Sequence, residues 1–206
     1  MGTGRLEAFS DGVLAIIITI MVLELHQPDG RNWDALGASV TSLVTYILSF
    51  VYVGIYWNNH HHMMQLSDRV SGAVLWANLH LLFWLSLYPF TTKWLDETDV
   101  ARVPAFVYGV NLLAAALAYY LLQQTIIRLE GPDSRLRKAI GSDWKGKLSP
   151  VIYTVGILST FVTPWLGVAC FAVVALIWLV PDKRLEGFIA QIEEKDAQDG
   201  GSAAAR

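Results

Sequence analysis

The chain has one cysteine, Cys170, in 206 residues. A single thiol excludes an intrachain disulfide framework and a cysteine-built metal site. Charge is the second scarcity. Asp, Glu, Lys and Arg make up 16% of the sequence, well under the roughly 25% of an average soluble domain. Catalytic signatures are missing too. There is no glycine-rich phosphate loop, no Ser–His–Asp signature and no pair of carboxylates at usable spacing. The expectation is therefore a protein that is not an enzyme and has no resident cofactor. No internal repeat is visible. The first apolar run lacks the small-residue cleavage site of a secretory signal, and Glu24 and His26 follow it directly.

What the sequence has is apolar length. Hydrophobic residues make up 54%, and the mean hydropathy is +0.42. Eight Trp and eight Tyr suit a membrane protein, because both residues favour the headgroup level. Apolar runs lie at 6–25, 35–57, 70–94, 103–127, 150–162 and 164–180. The stretch 148–180 is too long for one ordinary span at about 1.5 Å per residue. Thr163-Pro164 supplies an N-cap and a first-turn proline in its middle, so it splits there. Pro28, Asp29 and Gly30 mark a turn. Val103-Pro104 and Ser149-Pro150 are expected helix starts, and Tyr88-Pro89-Phe90 a kink. The fold class is thus an all-α membrane protein with six transmembrane helices per subunit. One membrane domain over 1–192 is expected, with no soluble domain attached, followed by a polar, small-residue-rich tail over 193–206.

Charge sets the orientation. With the N-terminus inside and six spans, Arg31, Lys93 and Arg102 fall in outer loops and the remaining Lys and Arg of the 15 fall inside. That is the positive-inside asymmetry, with both termini cytoplasmic. The inner loop 129–147 is basic and suits contact with anionic lipid heads. Asp29, Asp34, Asp96, Glu97 and Asp99 collect in the outer loops. They either raise the local cation concentration or are ordinary solvated loop charges.

The first run, from Arg5 to Leu25, has a distinct pattern. Between Gly12 and Leu23 its only polar side chain is Thr19. Asp11 stands about one and a half turns inside, where an ionisable group is paired or functional by default. At about 100° per residue, Ile16, Ile20 and Leu23 share one stripe with Thr19 at its edge. Asp11 falls roughly opposite, near Leu14, Ile18 and Val22. The aliphatic stripe alone is consistent with plain lipid-facing or packing surface.

Arg5, Phe9, Ser10 and Asp11 form R-x-x-x-F-S-D, followed by G-V-x-A-I-x-x-T. This resembles the first-helix signature of the transmembrane protein 175 family, potassium-permeable channels of bacterial membranes and animal endosomes and lysosomes. The resemblance implies that the first helix of each subunit lines a pore. Ile16, Thr19, Ile20 and Leu23 would then be the constriction and selectivity residues. Trp57 and His60 resemble the family's W-x-x-H, and Asn78 its third-helix asparagine. Arg5, Ser10, Asp11, His60 and Asn78 are accordingly expected to form a polar network between helices. The single-unit length resembles the prokaryotic form, which implies a homotetramer in a bacterial cell membrane. Membrane lipids are its expected neighbours, potassium its permeant ion, and no nucleic acid its partner.

Two features compete for other roles. Three adjacent histidines, His60 to His62, suggest metal at first sight. Adjacent helical residues point in different directions, however, so no metal site is expected, and His61, His62 and His80 receive no role beyond interfacial packing. Val53-Gly54-Ile55-Tyr56 echoes a potassium-channel filter, yet it lies in a regular span rather than a loop of inward carbonyls. Gly54 is expected to allow close helix packing instead. The function expected is a potassium-selective or potassium-preferring channel with an aliphatic constriction. The alternative is a proton- or ion-coupled secondary transporter using Asp11 and His60.

Overall fold

The computed structural model describes residues 3–67, 69–141 and 143–180. The end of the expected domain at 192 and the tail 193–206 lie outside them. Within the described residues the chain is helical, in the order α1 (Thr3–Leu23), α2 (Trp33–Ala38), α3 (Val40–Gln65), α4 (Gly72–Ser86), α5 (Tyr88–Glu97), α6 (Arg102–Glu130), α7 (Arg135–Ile140), α8 (Trp144–Ser159) and α9 (Pro164–Leu179). Four segments are long and apolar enough to cross a membrane: Thr3–Leu23, Val40–Gln65, Gly72–Glu97 and Arg102–Glu130. α8 and α9 have 16 residues each, about 24 Å at the usual rise. The hydrocarbon core is about 30 Å thick, so each is shorter than the four long segments and than that thickness.

The helix ends follow their sequence signals. Asn32 accepts from Ala35 N at 3.0 Å, Ser71 from Val74 N at 3.3 Å and Asp143 from Gly146 N at 3.0 Å. Each satisfies a backbone donor that has no partner inside its helix. Gly131 and Gly141 follow α6 and α7 with φ of +81° and +58°, the region that favours glycine. The chain breaks at Leu87 between α4 and α5. Pro89 has no N–H to give the Leu85 carbonyl, so the expected kink is a full helix boundary. Thr163 and Pro164 open α9 as expected.

Three expectations need correction. The second run is two helices: α2 stops at Ala38, and α3 continues to Gln65, which brings the whole histidine triplet onto the helix. Ser149-Pro150 is not a helix start. α8 begins at Trp144 and Pro150 lies inside it, because the Asp143 cap nucleates the helix two turns earlier. Gly54 mediates no close approach, since a Cβ there would meet nothing within 4 Å. The close approaches are elsewhere. A Cβ on Gly156 would lie 2.6 Å from Phe171 Cε1, and one on Gly167 2.9 Å from the Gly156 carbonyl oxygen. Small residues let α8 and α9 pack backbone to backbone, the usual device where lipid removes the hydrophobic drive.

α6 is the central post, packed on α4, α5, α8 and α9. Phe171, fully buried, fills the slot left by Gly109 and Gly156. Its carbonyl accepts from Tyr52 Oη at 2.6 Å, which ties α9 to α3. A second tie is polar: Ser49 of α3 bonds Thr92 of α5 at 2.7 Å and Tyr108 of α6 at 3.0 Å. α1 lies to one side, packed mainly against α3, α4 and α5.

Candidate functional site: the two faces of the first helix

The inner face of α1 is Leu6, Ser10, Leu14, Ile17 and Met21, all buried. The spacing of four, four, three and four keeps them on one stripe. The stripe expected opposite the aliphatic face held Asp11, Leu14, Ile18 and Val22, of which Leu14 alone is on the buried line. The expected stripe is turned by about a quarter of the helix circumference at about 100° per residue. Asp11 and Ile18 are half-buried flank residues, and Val22 is exposed. Packing chose the line with Ser10 because its small hydroxyl lets α4 approach, whereas an Asp carboxylate would need a cation there.

Ser10 starts a buried chain of hydrogen bonds. Its Oγ donates to the Leu6 carbonyl at 2.9 Å and accepts from Asn78 Nδ2 at 3.0 Å. Asn78 Oδ1 lies 2.8 Å from His60 Nε2. An amide oxygen only accepts, so His60 Nε2 carries the proton and donates. Ser10, Asn78 and His60 are almost fully buried. α1, α4 and α3 are thus linked through residues 10, 78 and 60.

Asp11 and Arg5 stand outside this hydrogen-bonded chain, with the Asp11 carboxylate within electrostatic reach of His60. Asp11 Oδ1 and His60 Nδ1 are buried without hydrogen-bond partners within the chain. Arg5 is exposed at the start of α1. Phe9 and Trp57 are about half exposed, at 53% and 48%. Trp57 stacks on His61 with ring centroids 6.3 Å apart. His61 itself does more than pack at an interface: its Nδ1 is 2.6 Å from Glu7 Oε1, a second α1–α3 link next to the first. His80 accepts from Trp84 Nε1 at 2.9 Å. Glu7 and His61 are far apart in sequence, and nothing in the spacing of either announces the pair. Among the described residues, no three His, Cys, Asp or Glu side chains group to hold a metal ion.

The outer face of α1 is apolar and uncovered. Ile16 is 60% exposed, Ile20 42% and Leu23 77%. Thr19, also exposed, donates to the Ala15 carbonyl at 2.8 Å, so its hydroxyl proton is occupied and its lone pairs stay free. At the outer end, Lys93 bonds Glu24 and sits 3.9 Å from Glu97. Asp96 accepts from Ser42 at 2.5 Å and Asp99 from Thr41 at 3.0 Å. Asp96 and Asp99 thus tie the start of α3 to the end of α5 and the turn after it.

Fold and site together define an all-helical integral membrane protein whose first helix is held by a polar chain on one side and left bare on the other. The family model described as "Endosomal/lysosomal potassium channel TMEM175" matches residues 5–89. A protein named "Potassium channel" from Chryseobacterium sp. (strain P1-3) is 53% identical, over 90% of this chain and 97% of the relative. One of the same name from Streptomyces collinus is 36% identical over 68% and 77%. The Danio rerio "Endosomal/lysosomal proton channel TMEM175" is 26% identical over 62% of this chain but only 24% of its own length. Among solved structures, a lysosomal potassium-selective channel TMEM175 homolog from Chamaesiphon minutus superposes with a TM-score of 0.76 at 32% identity, over 86% of this chain and 96% of that one. The chain belongs to the transmembrane protein 175 (TMEM175) family, a family of channels rather than enzymes.

Proposed function

We propose that this chain is the subunit of a potassium-selective or potassium-preferring cation channel. Four copies surround one conduction path, with α1 of each facing the axis. The observation that carries the reading is the bare face of α1. Of the four long segments α1 is the least buried within its own chain, and its exposed stripe holds Ile16, Thr19, Ile20 and Leu23. Fourfold symmetry turns each into a ring. An aliphatic ring offers a hydrated cation no contacts to replace lost water, so a small change in radius switches conduction. The free lone pairs of Thr19 supply a polar contact beside the rings.

In this reading Ser10, Asp11, His60 and Asn78 hold α1 in place, with Arg5, Phe9 and Trp57 around its inner end. The domain runs over 1–192 with six spans, α8 and α9 being the short last pair. Both termini are cytoplasmic in a bacterial cell membrane, a reading whose orientation the Lys and Arg asymmetry supports. The names of the bacterial relatives support potassium as the permeant ion.

A secondary transporter has one observation in its favour: two buried, unpartnered titratable atoms, Asp11 Oδ1 and His60 Nδ1, next to the helix contact. Planar-bilayer recording of the purified protein separates the readings. Discrete unitary openings in symmetric potassium are expected. Slow flux that stops without a driving proton gradient would replace the channel with a transporter.

A further inference from the structure

A cavity of about 550 Å³ opens among α3, α6, α7, α8 and α9. Its size falls in the range of roughly 300–1,000 Å³ that takes a ligand. None of its lining residues belongs to α1, α2, α4 or α5, so it is separate from the bare face described above. Its body is apolar, walled by Ile55, Met63, Leu117, Leu136, Ala139 and Trp178. Along α3 it runs from Tyr52 to Met63, about 16 Å at about 1.5 Å per residue. Leu117 and Tyr120, about half exposed on the membrane-spanning α6, leave one side open towards lipid.

The other end is polar and mainly basic. Lys145, Lys147, Asp143 and His62 stand there. Asp143 Oδ1 is committed to the α8 N-terminus through Gly146 N at 3.0 Å. The Lys145 ammonium lies 5.9 Å above the Trp178 ring and bonds the Val180 carbonyl at 2.7 Å. That uses one of its three donors. Lys147 is exposed. α7 frames this end, turning Leu136, Ala139 and Ile140 into the cavity and exposing Arg135, Arg137 and Lys138. A short helix split in this way suits the level where headgroups meet acyl chains.

We propose that the cavity binds one anionic phospholipid per subunit, with an acyl chain along α3 and α6 and the phosphate held by Lys145 and Lys147. Basic pockets between membrane helices take anionic headgroups in this way. A zwitterionic lipid brings its own ammonium to the two lysines and gains less. A free anion uses the lysines and leaves the apolar body empty.

The test is native mass spectrometry of the full chain in detergent, stripped of lipid and titrated with phosphatidylglycerol, phosphatidylcholine or inorganic phosphate. Phosphatidylglycerol should bind once per subunit, about thirty-fold tighter than phosphatidylcholine, the combined effect of two lysines near an anionic head. Lys147→Gln, at an exposed position, should remove a large part of that preference, and Lys145→Gln/Lys147→Gln nearly all of it. Leu117→Trp, also exposed, should obstruct the open side and weaken both lipids. Ala139→Trp, on α7, should do the same. Equal binding of the two lipids, or a preference unmoved by either lysine substitution, overturns the proposal. So does lipid binding that survives Leu117→Trp at full strength, or inorganic phosphate competing as well as the lipid does.

Discussion

At the residue scale, the buried chain from Ser10 to His60 makes an ordered prediction. Asn78 bonds both neighbours, and losing it strands the His60 Nε2–H, a residue 2% exposed. An unsatisfied buried donor costs about 1–3 kcal/mol. Ser10→Ala also strands a donor, the Asn78 Nδ2–H that Ser10 Oγ accepts, but it leaves the Asn78–His60 bond in place, whereas losing Asn78 breaks both bonds. Asn78→Leu should therefore lower the thermal unfolding midpoint more than Ser10→Ala in detergent; equal shifts would refute the ordering. The two faces of α1 predict a second contrast. Ile16→Asn places an amide on the bare face and should raise flux while bringing sodium closer to potassium, with Leu23→Asn doing less. Ile17→Asn, at 3% exposure, buries an unpartnered amide at about 1–3 kcal/mol and should reduce folded yield instead. Potassium and sodium flux into liposomes, with recovery measured alongside, checks all three. Selectivity altered by Ile17 and untouched by Ile16 would move the pore to another face. The aliphatic stripe was legible from spacing, because an exposed apolar face needs no partner to define it. The line opposite was misjudged by a quarter-turn, since α3, α4 and α5 together decide which residues of α1 they cover.

At the element scale, glycines separate by what lies across from them. Gly54 and Gly156 both interrupt apolar runs and are indistinguishable by sequence neighbours. A Cβ at Gly156 meets Phe171 at 2.6 Å and the Cys170 Cβ at 3.0 Å, while one at Gly54 meets nothing within 4 Å. Gly156→Ala should destabilise by about 1–3 kcal/mol, as overpacking does. Gly54→Ala should be neutral or stabilising by about 0.5–1 kcal/mol, because a helical glycine carries an entropic penalty. Thermal unfolding of both variants decides it, and a reversed order would mean that α8 and α9 are not packed as described. The break at Thr163, and an interruption next to Pro89 though not a full boundary, were legible because proline acts locally. The start of α8 was not, because Asp143 sits in the left-handed region with φ +38°, a placement that local propensity disfavours.

At the scale of the whole molecule, the proposed assembly puts α1 at the centre and α8 at the rim. With Cys170 replaced by Ala, single cysteines report directly. Leu23→Cys, 77% exposed on α1, should crosslink neighbouring subunits under mild oxidation. Leu158→Cys, 61% exposed on α8, should not. The reverse pattern would place α1 at the lipid boundary. The native mass should be four times the 22.9 kDa chain, and a reporter fused after Arg206 should read as cytoplasmic.

What the sequence determined by itself is everything governed by local or averaged chemistry. Scarcity of charge and cysteine excluded a soluble or disulfide-built fold. Apolar run length located the four long segments, proline and capping residues set most of the helix ends, and the R-x-x-x-F-S-D motif pointed to the family. Only the tertiary structure decided which side chains meet. The Glu7–His61 pair, the Ser49–Thr92–Tyr108 cluster, the Phe171 slot and the basic-mouthed cavity each join residues from helices far apart in the chain. Helices of similar apolarity pack in many registers at nearly equal hydrophobic gain. The choice among them falls to small-residue contacts and buried hydrogen bonds, and these exist only once the helices are side by side.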